Sequence, residues 1–156
     1  QPREIHARVI TYAEEDCTVF FKELAPILPA HYEELCVTKD FPLEPDFAAY
    51  DRLHQAGFLR AMTCRNDGEL VGYIIFIVQP HLHYRSCITA FEDLYYVKKE
   101  FRKGRIGIRL FQFAEKVLRE SGVKRIILHT KIHMDHSKLF EYLEYKNTDK
   151  LFTKLL

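Results

Sequence analysis

Phe91-Glu-Asp-Leu-Tyr-Tyr-Val-Lys-Lys-Glu-Phe-Arg-Lys-Gly-Arg-Ile-Gly107 changes character twice along its length. Ala90 to Val97 is rich in aromatic and branched residues and is followed by charges and glycine, the signature of a strand. Lys98 to Lys103 is a charged turn. From Ile106 onward, Ile106, Leu110, Phe113, Ala114 and Val117 recur at helical spacing. Gly104 and Gly107 stand where the turn meets the helix, and glycine lets another group approach the backbone closely. A helix start carries unpaired N–H groups and the positive end of the dipole, so it receives anions. Lys98, Lys99, Arg102, Lys103, Arg105 and Arg109 add positive charge there, against Glu100 alone. This chemistry suits a pyrophosphate. The bland alternative is a basic helix cap on a solvated face.

Outward from this stretch, helices and strands are interspersed. Ile5 to Tyr12 reads as a first strand. Asp16 to Ala25 reads as a helix capped by Asp16 and stopped by Pro26, and Pro29 opens a second one through Val37. Lys39 to Pro45 is a loop, and Asp46 to Ala56 a helix closed by Gly57. Phe58 to Arg65 and Glu69 to Gln79 are strands joined across Asn66-Asp67-Gly68, a strong hairpin signal. Pro80 to Ser86 reads as a polar loop, Cys87 to Val97 as a strand and residues 104–121 as a helix. Lys124 to Thr130 is a strand, Ser137 to Leu143 a short helix, and Tyr145 to Leu156 one or two terminal strands. The strand–helix–strand unit over 87–130 requires its two strands to be parallel. The core is expected from Ile74, Phe76, Phe91, Val97, Leu110, Phe113, Val117, Ile126 and Leu128.

At 156 residues the chain makes one domain, 1–156, with one sizeable core. Hydrophobic residues at 47% and charged residues at 29% give the balance of a soluble globular protein. A net charge of +1 implies no general attraction to nucleic acid or to a membrane. No apolar run approaches the ~20 residues that span a bilayer, and the polar start is not a signal peptide. Cys17, Cys36, Cys64 and Cys87 are widely spaced, so they read as thiols in a reducing cytoplasm, not as a disulfide or zinc framework.

Leu94-Tyr-Tyr-Val97, Glu100-Phe-Arg102 and Arg102-Lys-Gly-Arg-Ile-Gly107, followed by Leu110, resemble the GCN5-related N-acetyltransferase (GNAT) family. The family pattern is an apolar strand, Arg/Gln-x-x-Gly-x-Gly/Ala, then a helix. Counting from Arg102, its first glycine falls on Arg105, with Gly104 one place earlier; Gly107 is in register. Ser137 to Tyr145 is similar to the family's closing helix and strand, and the tail from Lys150 to Leu156 looks like that of small stand-alone members from phage and bacteria. The resemblance implies a single-domain α/β fold: a mixed central sheet flanked by helices, whose splayed parallel strands form a cofactor cleft. It implies acetyl-CoA as acyl donor. The backbone at Tyr95, Tyr96 and Val97 would bond the pantetheine arm and acyl oxygen. The N–H groups of Arg102, Lys103, Gly104, Arg105, Ile106, Gly107 and Ile108 would hold the pyrophosphate.

Acyl transfer from a thioester to an amine needs a polarised carbonyl, a deprotonated amine, a protonated thiolate and aligned substrates. Some polyamine-type members of the family carry a base on the strand that precedes the turn. Gapless alignment from Val97 places Asp93 there; alignment by the acidic pair places Glu92. Strand alternation turns only one of them to the cleft, and the other reading is an ordinary charged strand end. Many family members protonate the thiolate with a tyrosine on the last helix, where this chain has Phe140. Tyr142 lies about 200° around that helix at ~100° per residue. Glu144 takes the place of the family's glycine before the final strand. For His129, His133 and His136 no Cys or carboxylate other than Asp135 would complete a tetrahedral site, so no metal is expected; His133 or His136 remains a cleft-side acid or base. Glu33, Glu34, Asp40, Glu44, Asp46 and Asp51 make the N-terminal region acidic, which would favour a cationic acceptor if they line the acceptor site. Three classes of function stay open: an N-acetyltransferase acting on an amine, a CoA-binding protein without turnover, and an interaction module. A homodimer is also open.

Overall fold

A computed structural model describes residues 8–156. Its five-stranded sheet has the order β1-β2-β3-β4-β5, with β1 (Ile10–Glu15), β2 (Leu59–Asn66), β3 (Glu69–His81), β4 (Tyr84–Val97) and β5 (Arg125–Ile127). The first four strands are successively antiparallel, and β5 is parallel to β4. Three helices, α1 (Cys17–Leu24), α2 (Leu28–Leu35) and α3 (Phe47–Gln55), separate β1 from β2. α4 (Ile106–Glu120) crosses from β4 to β5, and α5 (Ser137–Tyr142) follows β5.

Local chemistry accounts for most of these boundaries. The Asp16 carboxylate accepts from Thr18 N at 2.8 Å to start α1, and Asp46 accepts from Ala49 N at 2.8 Å to start α3. Asp67 and Gly68 both take positive φ, 48° and 85°, which a tight two-residue hairpin turn demands. Alternation then sorts β3 between two cores. Ile74 and Phe76 face α4 and α5, with Leu110, Phe111, Ala114, Leu118 and Phe140. Tyr73 and Ile75 face the other layer, with Phe20, Phe21, Leu24 and Leu28.

The structure corrects several boundaries. The first strand runs Ile10–Glu15, and the part of the expected strand before residue 8 lies outside the described residues. There is no long loop at 80–86: β3 extends to His81 and β4 begins at Tyr84, because Pro80 lies opposite Ile88 at the end of the ladder. β5 is only three residues long, and residues 145–156 form no regular strand. On α4 the fully buried stripe includes Phe111 and Leu118, while Phe113 and Val117 flank it. Phe91 is 38% exposed, on the face turned away from α4.

Two irregularities position the site. β5 pairs with β4 only at Thr89–Arg125, Ala90–Ile126 and Phe91–Ile127, so beyond Phe91 the two strands part and β4 continues alone on that edge. On its other edge β4 has a bulge: Ile75 pairs with Leu94 but Phe76 with Glu92, leaving Asp93 as the extra residue.

Candidate active site

The fork between β4 and β5 is flanked by the start of α4. Gly104 takes φ +133°, a conformation other residues rarely adopt, and Arg105 occupies the cap position of α4 without a side-chain cap bond. The first-turn N–H groups of α4 are therefore not claimed by a capping side chain. Lys103, Arg105 and Arg109 are exposed around this turn, and the Arg105 guanidinium donates to the Tyr142 hydroxyl at 3.1 Å.

Gly107 is explained by a neighbour from β4. A Cβ at this position would stand 2.6 Å from the Tyr95 hydroxyl. The Tyr95 ring is held between Phe111 and His136, with centroids 4.7 and 5.2 Å away. Burial raises its pKa above the usual phenol range. Tyr96 turns to the opposite layer and stacks on His31 at 4.6 Å. Ile106 and Ile108 are half-buried in the first turn of α4.

Arg102 is a brace. Its Nε donates to the Val97 carbonyl at 2.7 Å, its guanidinium pairs with Glu34 of α2 at 2.7 Å, and it lies 5.3 Å over the Tyr96 ring. Its side chain thus ties the turn to α2, and Lys103, Arg105 and Arg109 are the cations left exposed at the helix start.

The two strand carboxylates face opposite sides of the sheet. Asp93 accepts from the Tyr50 hydroxyl of α3 at 3.0 Å, on the layer formed by α1–α3. Glu92 is buried at the point where the strands part and reaches across the fork. Its Oε2 accepts from the His129 backbone N at 3.1 Å and lies 3.0 Å from His129 Nδ1. That side-chain bond raises the His129 pKa above its ordinary value, against the opposing effect of partial burial. The other two histidines of this loop are committed elsewhere. His133 Nε2 is 3.0 Å from the Glu34 carbonyl, and His136 packs against Tyr95 and Phe140, where burial lowers its pKa.

On the α1–α3 side of the fork lies a cavity of about 490 Å³, lined by Leu28, Tyr32, Phe41, Phe47, Tyr50 and Leu94 among others. Lys131 and His133 close it from the segment after β5. Of the acidic N-terminal residues only Asp40 and Glu44 line it. Glu33 pairs with Lys39, Glu34 with Arg102, Asp46 caps α3 and Asp51 accepts from Gln55.

Sequence reasoning did not pair His129 with Glu92. The two are 37 positions apart, and only the β4–β5 register brings them together. Among the described residues no group of three or more His, Cys, Asp or Glu stands together as a metal site, and no helix is long and apolar enough to cross a membrane.

Comparison with known proteins places this geometry. Residues 21–141 match the model of the acetyltransferase (GNAT) family. An aminoalkylphosphonate N-acetyltransferase of Salmonella typhimurium is 34% identical over 91 residues, which are 58% of this chain and 58% of that protein. The match thus spans little more than half the length of that relative. An aminoglycoside acetyltransferase from an uncultured soil metagenomic sample, solved in complex with sisomicin, superposes with a TM-score of 0.74 at 15% identity, over 94% of this chain and 96% of that one. A ribosomal-protein-alanine N-acetyltransferase from Brucella melitensis biovar Abortus 2308 superposes with a TM-score of 0.71 at 22% identity, over 95% and 99%. The likeness to these structures carries the fold, and the match across residues 21–141 carries the family: this chain belongs to the acetyltransferase (GNAT) family.

Proposed function

We propose that this protein transfers an acetyl group from acetyl-CoA to an amine acceptor. The fork supports this most directly: the free edge of β4 beyond Phe91 runs toward the uncapped start of α4. The donor set fits the donor molecule. A strand edge offers N–H and C=O groups to the amides of a pantetheine arm, in the manner of an added strand. The helix start, with exposed Lys103, Arg105 and Arg109, suits a pyrophosphate. In this reading the backbone at Tyr95, Tyr96 and Val97 holds the arm and the N–H groups from Arg102 to Ile108 hold the phosphates.

The acceptor enters from the α1–α3 side. The apolar cavity there suits an amine carried on a small apolar body, and Asp40 and Glu44 favour a cationic one. Asp93, behind Tyr50, is the carboxylate on the acceptor side and attracts the ammonium. The proteins this chain resembles act, by their names, on acceptors of different sizes: an aminoalkylphosphonate, an aminoglycoside and a ribosomal-protein alanine. The four unpaired thiols support a cytoplasmic setting. Phe140, where the family resemblance implies a tyrosine acid, favours a second reading, CoA binding without turnover. Calorimetric titration with acetyl-CoA, followed by thiol release in the presence of an amine panel, decides between them. Binding with amine-dependent thiol release supports transfer, binding alone supports the second reading, and no binding removes both.

A further inference from the structure

We infer that His129 is the proton carrier of the transfer, with Glu92 as its positioning residue. This rests on the acetyl-transfer reading above. The argument begins with the two bonds that Glu92 makes across the fork, to His129 N at 3.1 Å and Nδ1 at 3.0 Å. An ionised carboxylate only accepts hydrogen bonds, so Nδ1 carries the proton in that bond and the neutral ring has its lone pair on Nε2. The backbone bond fixes where the residue sits and the side-chain bond fixes the tautomer. A base within hydrogen-bond reach of an orienting carboxylate is the general arrangement for proton transfer at a reacting centre. Glu92 is buried, whereas the His129 side chain is 45% exposed, so the oriented ring meets the open fork.

The surrounding groups single out this histidine. Facing His129 are Glu92 from β4 and Lys131 from its own segment, and His136 lies near the same carboxylate. His133 spends Nε2 on the Glu34 carbonyl, and His136 is packed against aromatic rings. Asp93 is held by Tyr50 on the acceptor side. Among the described histidines of the segment after β5, His129 is the one that joins a carboxylate partner on Nδ1 to a half-exposed side chain.

The step balances on one residue. His129 Nε2 takes a proton from the amine as the amine nitrogen bonds to the acyl carbon. The imidazolium then returns that proton to the sulfur as the carbon–sulfur bond breaks and the thiol leaves. No second acid is needed, which accounts for a phenylalanine at position 140.

The test uses the full-length protein, with His129→Gln and Glu92→Gln. In NMR titration of the free protein, the His129 imidazole of the wild type should titrate above the ordinary histidine range, and in Glu92→Gln it should fall. Calorimetric affinity for acetyl-CoA should stay within about twofold in His129→Gln, while kcat drops by about 10²–10⁴-fold. Glu92→Gln should move the acid limb of the kcat/KM profile to lower pH, because the base then needs less alkali to lose its proton. A His129→Gln variant with wild-type kcat overturns the assignment while leaving acetyl transfer standing. An unchanged His129 titration in Glu92→Gln overturns the positioning role. A wild type that releases no thiol with any amine removes acetyl transfer itself, and the carrier with it.

Discussion

Gly107 and His31 show what single residues do in this chain. Gly107 is required by the Tyr95 hydroxyl, which fills the volume a Cβ would take. Gly107→Ala must move Tyr95 out from between Phe111 and His136, or move the start of α4, at a cost of about 1–3 kcal/mol in chemical denaturation. Adding Tyr95→Phe removes the clashing oxygen, so the double variant should recover part of that loss. His31 is buried, with Nδ1 2.7 Å from the Tyr73 hydroxyl. Burial, helped by the charge of Arg102, pushes its pKa from 6.5 down to about 4. The unfolded chain therefore binds a proton that the folded chain refuses. Stability is full above pH 6.5 and is lost as pH falls toward 4, by up to about 3 kcal/mol at 1.36 kcal/mol per unit. Urea midpoints across that window should fall in the wild type and flatten in His31→Gln, which keeps a partner for Tyr73.

At the level of elements, β4 and α5 each carry one local departure with a visible consequence. The two adjacent carboxylates serve opposite sides of the sheet, Glu92 on His129 and Asp93 on Tyr50. Strict alternation separates such neighbours, but the bulge changes which face each later residue takes, and it sends Tyr95 to the α4 side. α5 ends in a two-bond cap, with Glu144 N donating to the Glu141 carbonyl at 3.0 Å and Tyr145 N to the Phe140 carbonyl at 2.9 Å. That cap puts Glu144 at φ +67°, where its Cβ is strained. Glycine is the residue this conformation favours. Glu144→Gly should raise stability by about 1 kcal/mol with no change in acetyl-CoA affinity, read from denaturant midpoints and calorimetry.

For the molecule as a whole, the fork stands between two layers. α4 and the β4 edge stand on one side, while α1–α3 and the segment after β5 enclose the apolar cavity on the other. Arg102 joins the two layers through Glu34 and Val97, so reversing its charge would disturb packing as well as any phosphate. Lys103 and Arg109 are exposed and give the cleaner test. Lys103→Glu with Arg109→Glu should weaken acetyl-CoA binding by about 1–2 kcal/mol at low salt. The difference should shrink as salt rises and the Debye length falls below about 10 Å. Equal affinities of wild type and double variant at low salt would remove the pyrophosphate from this turn.

The sequence by itself determined what short-range chemistry controls. The Asp16 cap, the Asp67-Gly68 turn, the strand before the basic turn and the helix after it were all legible, because each depends on a few adjacent residues. So was the parallel pairing of β4 and β5, since a crossover helix allows no other geometry. The end of β5 at Ile127 was decided by tertiary structure, because branched residues continue past the last rung. So were the exposure of Phe91 and the place of Phe111 in the core: helical spacing defines a stripe, but the sheet beneath it decides which edge of the stripe is covered. The pairing of Glu92 with His129 lies furthest from the sequence. It depends on where two strands stop bonding, which is set by packing across the whole sheet.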